Sequence, residues 1–145
     1  LQRAQGATER MMPRFPDIEN ALLDWLKSTF PELADDTMPD KHVGTVTPGP
    51  ALDRRLPFVR VQKLTGRDDY FKDYPVVDID VFGDRRDVAY ALAEAIRSAI
   101  LETPFTAGAV RVRTSETRTS PGLRPWENTR LVRFGATYEL SVLGR

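Results

Sequence analysis

Cysteine is absent from the 145 residues, and histidine occurs once, at His42. The first absence excludes disulfides, thiolate metal sites and cysteine nucleophiles. The second excludes a histidine-rich metal centre and leaves any catalytic triad dependent on His42, which follows an acidic loop in a short strand pattern. Net charge is also missing. The chain balances 21 basic against 21 acidic residues, whereas a dedicated nucleic-acid binder carries a clear basic excess. No apolar run reaches the roughly 18 residues of a membrane span. The first residues lack the apolar centre of a signal peptide. Neither G-x-G-x-x-G nor G-x-x-x-x-G-K-[ST] occurs, and there is no G-x-S-x-G. The expectation is a soluble protein of the cytoplasm, or one assembled there, with no cofactor.

What is present reads as one globular domain. Hydrophobic content is 41% and charged content 29%, far from the composition of disordered chains. A length of 145 residues suits one core of ordinary size. The charges are unevenly spread: residues 1–45 hold five basic and eight acidic groups, while residues 111–145 hold seven arginines and three glutamates. Oppositely biased ends favour association with further copies or with a partner.

The most informative stretch is Tyr74–Pro104. Val76–Phe82 alternates, with Val77, Ile79 and Val81 on one side and Asp78, Asp80 and Phe82 on the other, as in a strand with one buried face. Gly83 breaks it. Asp84 is the expected N-cap of a long helix, and Asp87 suits the helix dipole. Val88, Leu92, Ala95, Ile96, Ala99 and Ile100 recur at the helical period, until Thr103-Pro104 stops it.

The remaining elements follow in order. Residues 1–12 show no amphipathic pattern and are expected to be a weakly ordered extension, with Met11 or Met12 as a natural start. The domain is expected to span residues 13–145. Residues 13–31 predict a helix in which Ile18, Ala21, Leu22, Trp25 and Leu26 form the apolar stripe. Residues 32–41 are an acidic loop; Asp35 and Asp36 lack the spacing of a calcium hand. Strands are predicted at His42–Val46, Phe58–Thr65, Ala109–Thr114 and Leu131–Leu143, with a proline-rich loop at 47–57 and a plain loop at 105–109. Gly66–Tyr74 reads as a charged hairpin arm. Residues 115–130, broken by Pro121, Gly122 and Pro125, read as a long functional loop. The result is an α+β domain of order α-β-β-β-α-β-β: a mostly antiparallel sheet of about five strands with both helices on one face.

Chemistry is sparse. Asp78 and Asp80 are alternate strand residues, about 7 Å apart by the strand rise. They form the sharpest catalytic candidate, a pair that can hold a divalent metal, as in a small metal-dependent nuclease, or act as acid and base. The competing account is a cross-strand charge pair with arginines such as Arg60. Surface contacts are better supplied. Arg67, Asp68, Asp69, Tyr70, Phe71, Lys72 and Tyr74 sit in the hairpin arm, and Arg118, Arg124, Trp126 and Arg130 in the long loop; aromatics among charges favour protein interfaces.

Four stretches, PRFPDIENALLDWLK, PFVRVQKLTGRDDYFKDYPVVDIDVFG, DRRDVAYALAEAIRSAIL and LVRFGATYELSV, cover most of Pro13–Val142. In content and order they resemble the tail terminator (tail completion) proteins of long-tailed phages of the siphophage type. The resemblance implies a non-enzymatic subunit of a homo-hexameric ring at the tail–neck junction of a virion. It implies three partners: other copies of the chain, the tail tube protein and the head–tail connector. DNA would pass through without specific binding, no membrane would be involved, and no cofactor is implied. On this view the two groups of surface residues are contacts, and Asp78 and Asp80 are candidates for acidic groups facing the lumen. A neck subunit of the same virion is the neighbouring alternative.

Overall fold

The computed structural model describes residues 17–69 and 71–143. The expected extension 1–12, residues 13–16 of the first helix and Tyr70 lie outside the described residues.

Helix α1 spans Ile18–Thr29. The Asp17 carboxylate accepts from the amides of Glu19 and Asn20, satisfying donors that have no partner within the helix. Ile18, Ala21, Leu22, Trp25 and Leu26 are its buried residues, the stripe anticipated from spacing. Leu22 and Leu26 are fully buried, each contributing roughly 1.5–3 kcal/mol of transfer free energy. Pro31 opens a single 3₁₀ turn, Pro31–Leu33.

The sheet has six strands: β1 (Val43–Gly44), β2 (Phe58–Asp68), β3 (Lys72–Gly83), β4 (Phe105–Ala107), β5 (Val110–Arg124) and β6 (Val132–Leu143). Their spatial order is β1-β2-β3-β6-β5-β4. All pairings are antiparallel except β1 with β2. The sheet is mostly antiparallel, as expected, with this one parallel pair. Residues 45–57, with a 3₁₀ turn at Gly49–Arg54, carry the chain back to the same end of the sheet, and a returning connection makes neighbours parallel. His42 Nδ1 lies 2.9 Å from the carbonyl oxygens of both Arg55 and Pro57, so this nitrogen carries the proton and ties the returning loop to β1.

The sixth strand, β4, replaces an expected loop. It turns into β5 at Gly108, whose φ of 57° lies in the left-handed region that glycine tolerates. Two strands are longer than their alternation suggested. β3 begins at Lys72, ahead of Pro75, and its ladder to β6 passes from Asp73 directly to Val76, skipping Tyr74 and Pro75, where proline has no amide to give. β5 extends to Arg124, so most of the anticipated loop 115–130 is strand. Pro121 is accommodated because β4 pairs only with Val110–Val112. Beyond them β5 is an edge, where proline is allowed, and its register with β6 slips on either side of Thr119.

Helix α2 spans Arg86–Ile100 and buries Ala89, Leu92, Ala93, Ile96 and Ile100. Leu92, Ile96 and Ile100 agree with the anticipated face; Val88 and Ala95 do not, and both are exposed. The N-cap is Arg85, without a side-chain cap bond, rather than Asp84. The cause is the tight exit from β3: a Cβ on Gly83 would come within 3.1 Å of the Ala89 Cβ. The small Ala89, not Val88, therefore faces the sheet.

Both helices lie on one face. They share a single core with Val59 and Val61 of β2, Val77, Ile79 and Val81 of β3, and Phe134, Ala136, Tyr138, Leu140 and Val142 of β6. Tyr138 is buried at its centre, and burial pushes its phenol well above the ordinary tyrosine range. The opposite face holds a second, small cluster of Leu52, Phe58, Phe82 and Leu131, with Leu56 and Trp126 against it.

Candidate functional site

The face opposite α1 and α2 carries a dense group of charged side chains. Pairing register builds it. Arg60 lies opposite Asp80, and Asp80 opposite Gly135, which pairs with Gly122; Gln62, Asp78, Thr137 and Thr119 form the next row. Residues paired across strands share a face, so Asp78, Asp80, Arg60 and Arg133 project together.

Asp80 has no exposed surface. Its carboxylate accepts from Arg60 at 3.0 Å, from Arg124 at 3.1 Å, and from Arg133 at 3.0 and 3.2 Å. Asp78 accepts from Arg124 at 2.9 and 3.3 Å and from the Thr137 hydroxyl. Burial works to lower the Arg124 pKa, but the two carboxylates outweigh it and hold the guanidinium above its ordinary value.

Gly135 makes room for this arrangement. A Cβ there would overlap both the Asp80 carboxylate and the Arg124 guanidinium. Trp126 closes one side: its ring stands edge-on to Phe82 at 4.7 Å, with Arg60 and Arg133 within 5.9 and 5.8 Å of its centroid. Such contacts favour a guanidinium over a ring face.

This geometry accounts for Asp78 and Asp80 within the fold. Each oxygen that a metal would need already accepts from a guanidinium. A divalent ion would have to displace Arg124 while facing Arg60 and Arg133 at short range, which electrostatics opposes. Asp80 has no surface to offer a lumen, which revises its anticipated role; Asp78 is partly exposed. The cross-strand pairing of Arg60 with Asp80 was legible in their alternation. The long-range contributions of Arg124 and Arg133 were not, because they depend on β6 lying between β3 and β5.

The anticipated contact residues divide into two groups. Arg67, Asp68, Asp69, Phe71, Lys72 and Tyr74 do lie together, in and around the β2–β3 turn. Arg67 stacks on Tyr74 at 4.0 Å. Asp69 accepts from the amides of Phe71 and Lys72, and these backbone bonds hold its carboxyl below the ordinary value. Phe71 is 69% exposed. The second group disperses. Arg118 pairs with Glu139 at 2.8 Å, Arg124 and Trp126 belong to the charge network, and Arg130 is exposed near one of the surface clefts.

Two of the surface clefts are open and shallow. One, of about 380 Å³, lies between the Gly49–Arg54 turn and residues 126–130. The other, of about 620 Å³, is lined by Tyr90, Leu123, Phe134 and Pro121.

No family model matches the chain, and no curated protein matches it. Among solved structures, its fold is similar to that of a chain in the virion of a native gene transfer agent particle. The TM-score is 0.51 at 19% identity, covering 86% of this chain and 86% of that one. At this identity the likeness is one of fold.

Proposed function

We propose that the chain is a virion structural protein: a ring-forming subunit that caps the tail tube, terminates its polymerisation and offers the surface to which the head's connector joins. The observation that carries this reading is the shared fold. A chain from a virion matches it over nearly the whole length of both, and the resemblance to tail terminators points the same way. The site chemistry is compatible. The acidic pair is neutralised by arginines. A structural role also suits a sheet whose reactive groups are spent on internal order.

The test is assembly. Light scattering behind a sizing column should give a mass near six copies of the 16.4 kDa chain, or a monomer that forms rings only on purified tail tubes. Electron microscopy should show capped tubes that no longer elongate. A monomer that ignores tubes would overturn the reading. Binding to the portal side instead of the tube end would move the assignment to a neck subunit.

A further inference from the structure

We propose that the free stretches of β2 and β5 are the two halves of a joint between copies of this chain, β5 of one copy adding to β2 of the next. The inference rests on the ring-forming reading and names the surface that makes the ring.

Strand direction is the first argument. Across the sheet the order β2, β3, β6, β5 alternates direction at every step. β2 and β5 therefore run opposite ways. Placing β5 of one subunit beside β2 of a like-oriented neighbour continues the antiparallel alternation without a break. A contact between two different edges is head-to-tail, the kind that closes into rings.

The free lengths also match. β1 covers β2 only at Val59 and Arg60, and β4 covers β5 only at Val110–Val112. Each edge then carries a regular, unbulged run: Thr65–Asp68 follows the irregularity at Leu64, and Thr114–Thr117 lies between two register slips. The two runs sit at the same height. Thr65 pairs with Val76, Val76 with Glu139, and Glu139 with Glu116. Outside this window, features that blunt an edge take over: the Lys63 amide already donates to Glu19, and Pro121 offers no amide.

Side chains complement one another across the joint. Thr65, Glu116 and Arg67 project from the same, helix-free face, and all three are exposed. With Thr65 beside the neighbour's Glu116, Arg67 takes the diagonal position, within reach of its carboxylate. Leu64, 54% exposed at the bulge, would be covered by the incoming strand.

Two experiments test this. Arg67→Glu and Glu116→Arg should each raise the concentration needed for half-assembly at least about tenfold, and the double exchange should restore it to within about threefold. Thermal melting of the Glu116→Arg monomer should shift little, since that side chain is exposed, and that of the Arg67→Glu monomer by no more than an exposed stacking contact on Tyr74 supplies. The second experiment uses the absence of native cysteine. Thr65→Cys and Glu116→Cys proteins, oxidised together, should give a disulfide-linked dimer that neither gives alone. If rings form, yet the charge exchange has no effect and the mixture does not cross-link, the edge joint is wrong and the ring reading survives. If no assembly forms even on tube ends, both fall.

Discussion

The two faces of one sheet are held in place by different physics. On the helix side, Val61, Ile79, Ala136 and Tyr138 meet two amphipathic helices in a continuous apolar core. On the other side, one row away, Arg60, Asp80, Arg133 and Arg124 form a closed ionic cluster over Gly135. The apolar face tolerates volume-conserving change because dispersion and burial are non-directional. The charged face depends on each partner, since removing one leaves desolvated charges unpaired. A sheet that must keep a fixed curvature and edge geometry gains register from such a directional cluster: a one-residue slip in β3 would bring Asp80 to the wrong face.

The comparison is sharpest at Asp80. Asp80→Ala leaves three guanidiniums facing one another and should cost about 3–5 kcal/mol, measured by urea unfolding. A loss below about 1 kcal/mol would mean the cluster is not integral to stability. Leu26→Ala tests the apolar face and should cost about 3 kcal/mol through burial lost and cavity left. Its cost should be insensitive to salt, and a marked salt dependence would contradict a purely apolar contact.

Gly135→Ala comes next. Its methyl group invades the cluster and should cost about 2 kcal/mol as overpacking. The penalty should shrink when combined with Arg124→Ala, because the crowded guanidinium is then gone. Equal penalties in both backgrounds would show that Gly135 is required for another reason.

The smallest effect concerns Asp73, a buried carboxylate outside the cluster. Burial raises its pKa, with Asp68 adding to the rise and Lys63 and the Tyr74 amide opposing it. A raised folded-state value means that its ionisation opposes folding. Stability tied to it is present below the ordinary aspartate range and is lost as pH rises through the shifted value. Asp73→Asn should therefore gain stability relative to wild type between pH 3 and 7. A constant difference across that range would contradict the burial argument.

Helix α1 was readable because its cap, its stripe and Pro31 lie within one short stretch. The apolar faces of β3 and β6 were readable because a two-residue period needs no knowledge of neighbours. The rotation of α2 was not, since it depends on Gly83 packing against Ala89 rather than on the periodic pattern alone. The first part of β5 was readable at Ala109–Thr114, whereas its continuation to Arg124 reads as a loop because Pro121 and Gly122 signal a break, and only its position at the sheet edge makes them acceptable. Arg124 and Trp126 looked like surface residues for the same reason.

The sequence by itself determined the α+β class, both helices on one face and the direction in which most strand residues point, because local periodicity and capping are short-range properties of the chain. The tertiary structure decided which strands are neighbours. Arg124 reaches Asp78 over 46 residues and Arg133 reaches Asp80 over 53, and both contacts exist only because β6 lies between β3 and β5. Long-range pairing follows from how the whole core closes, and no local pattern encodes it.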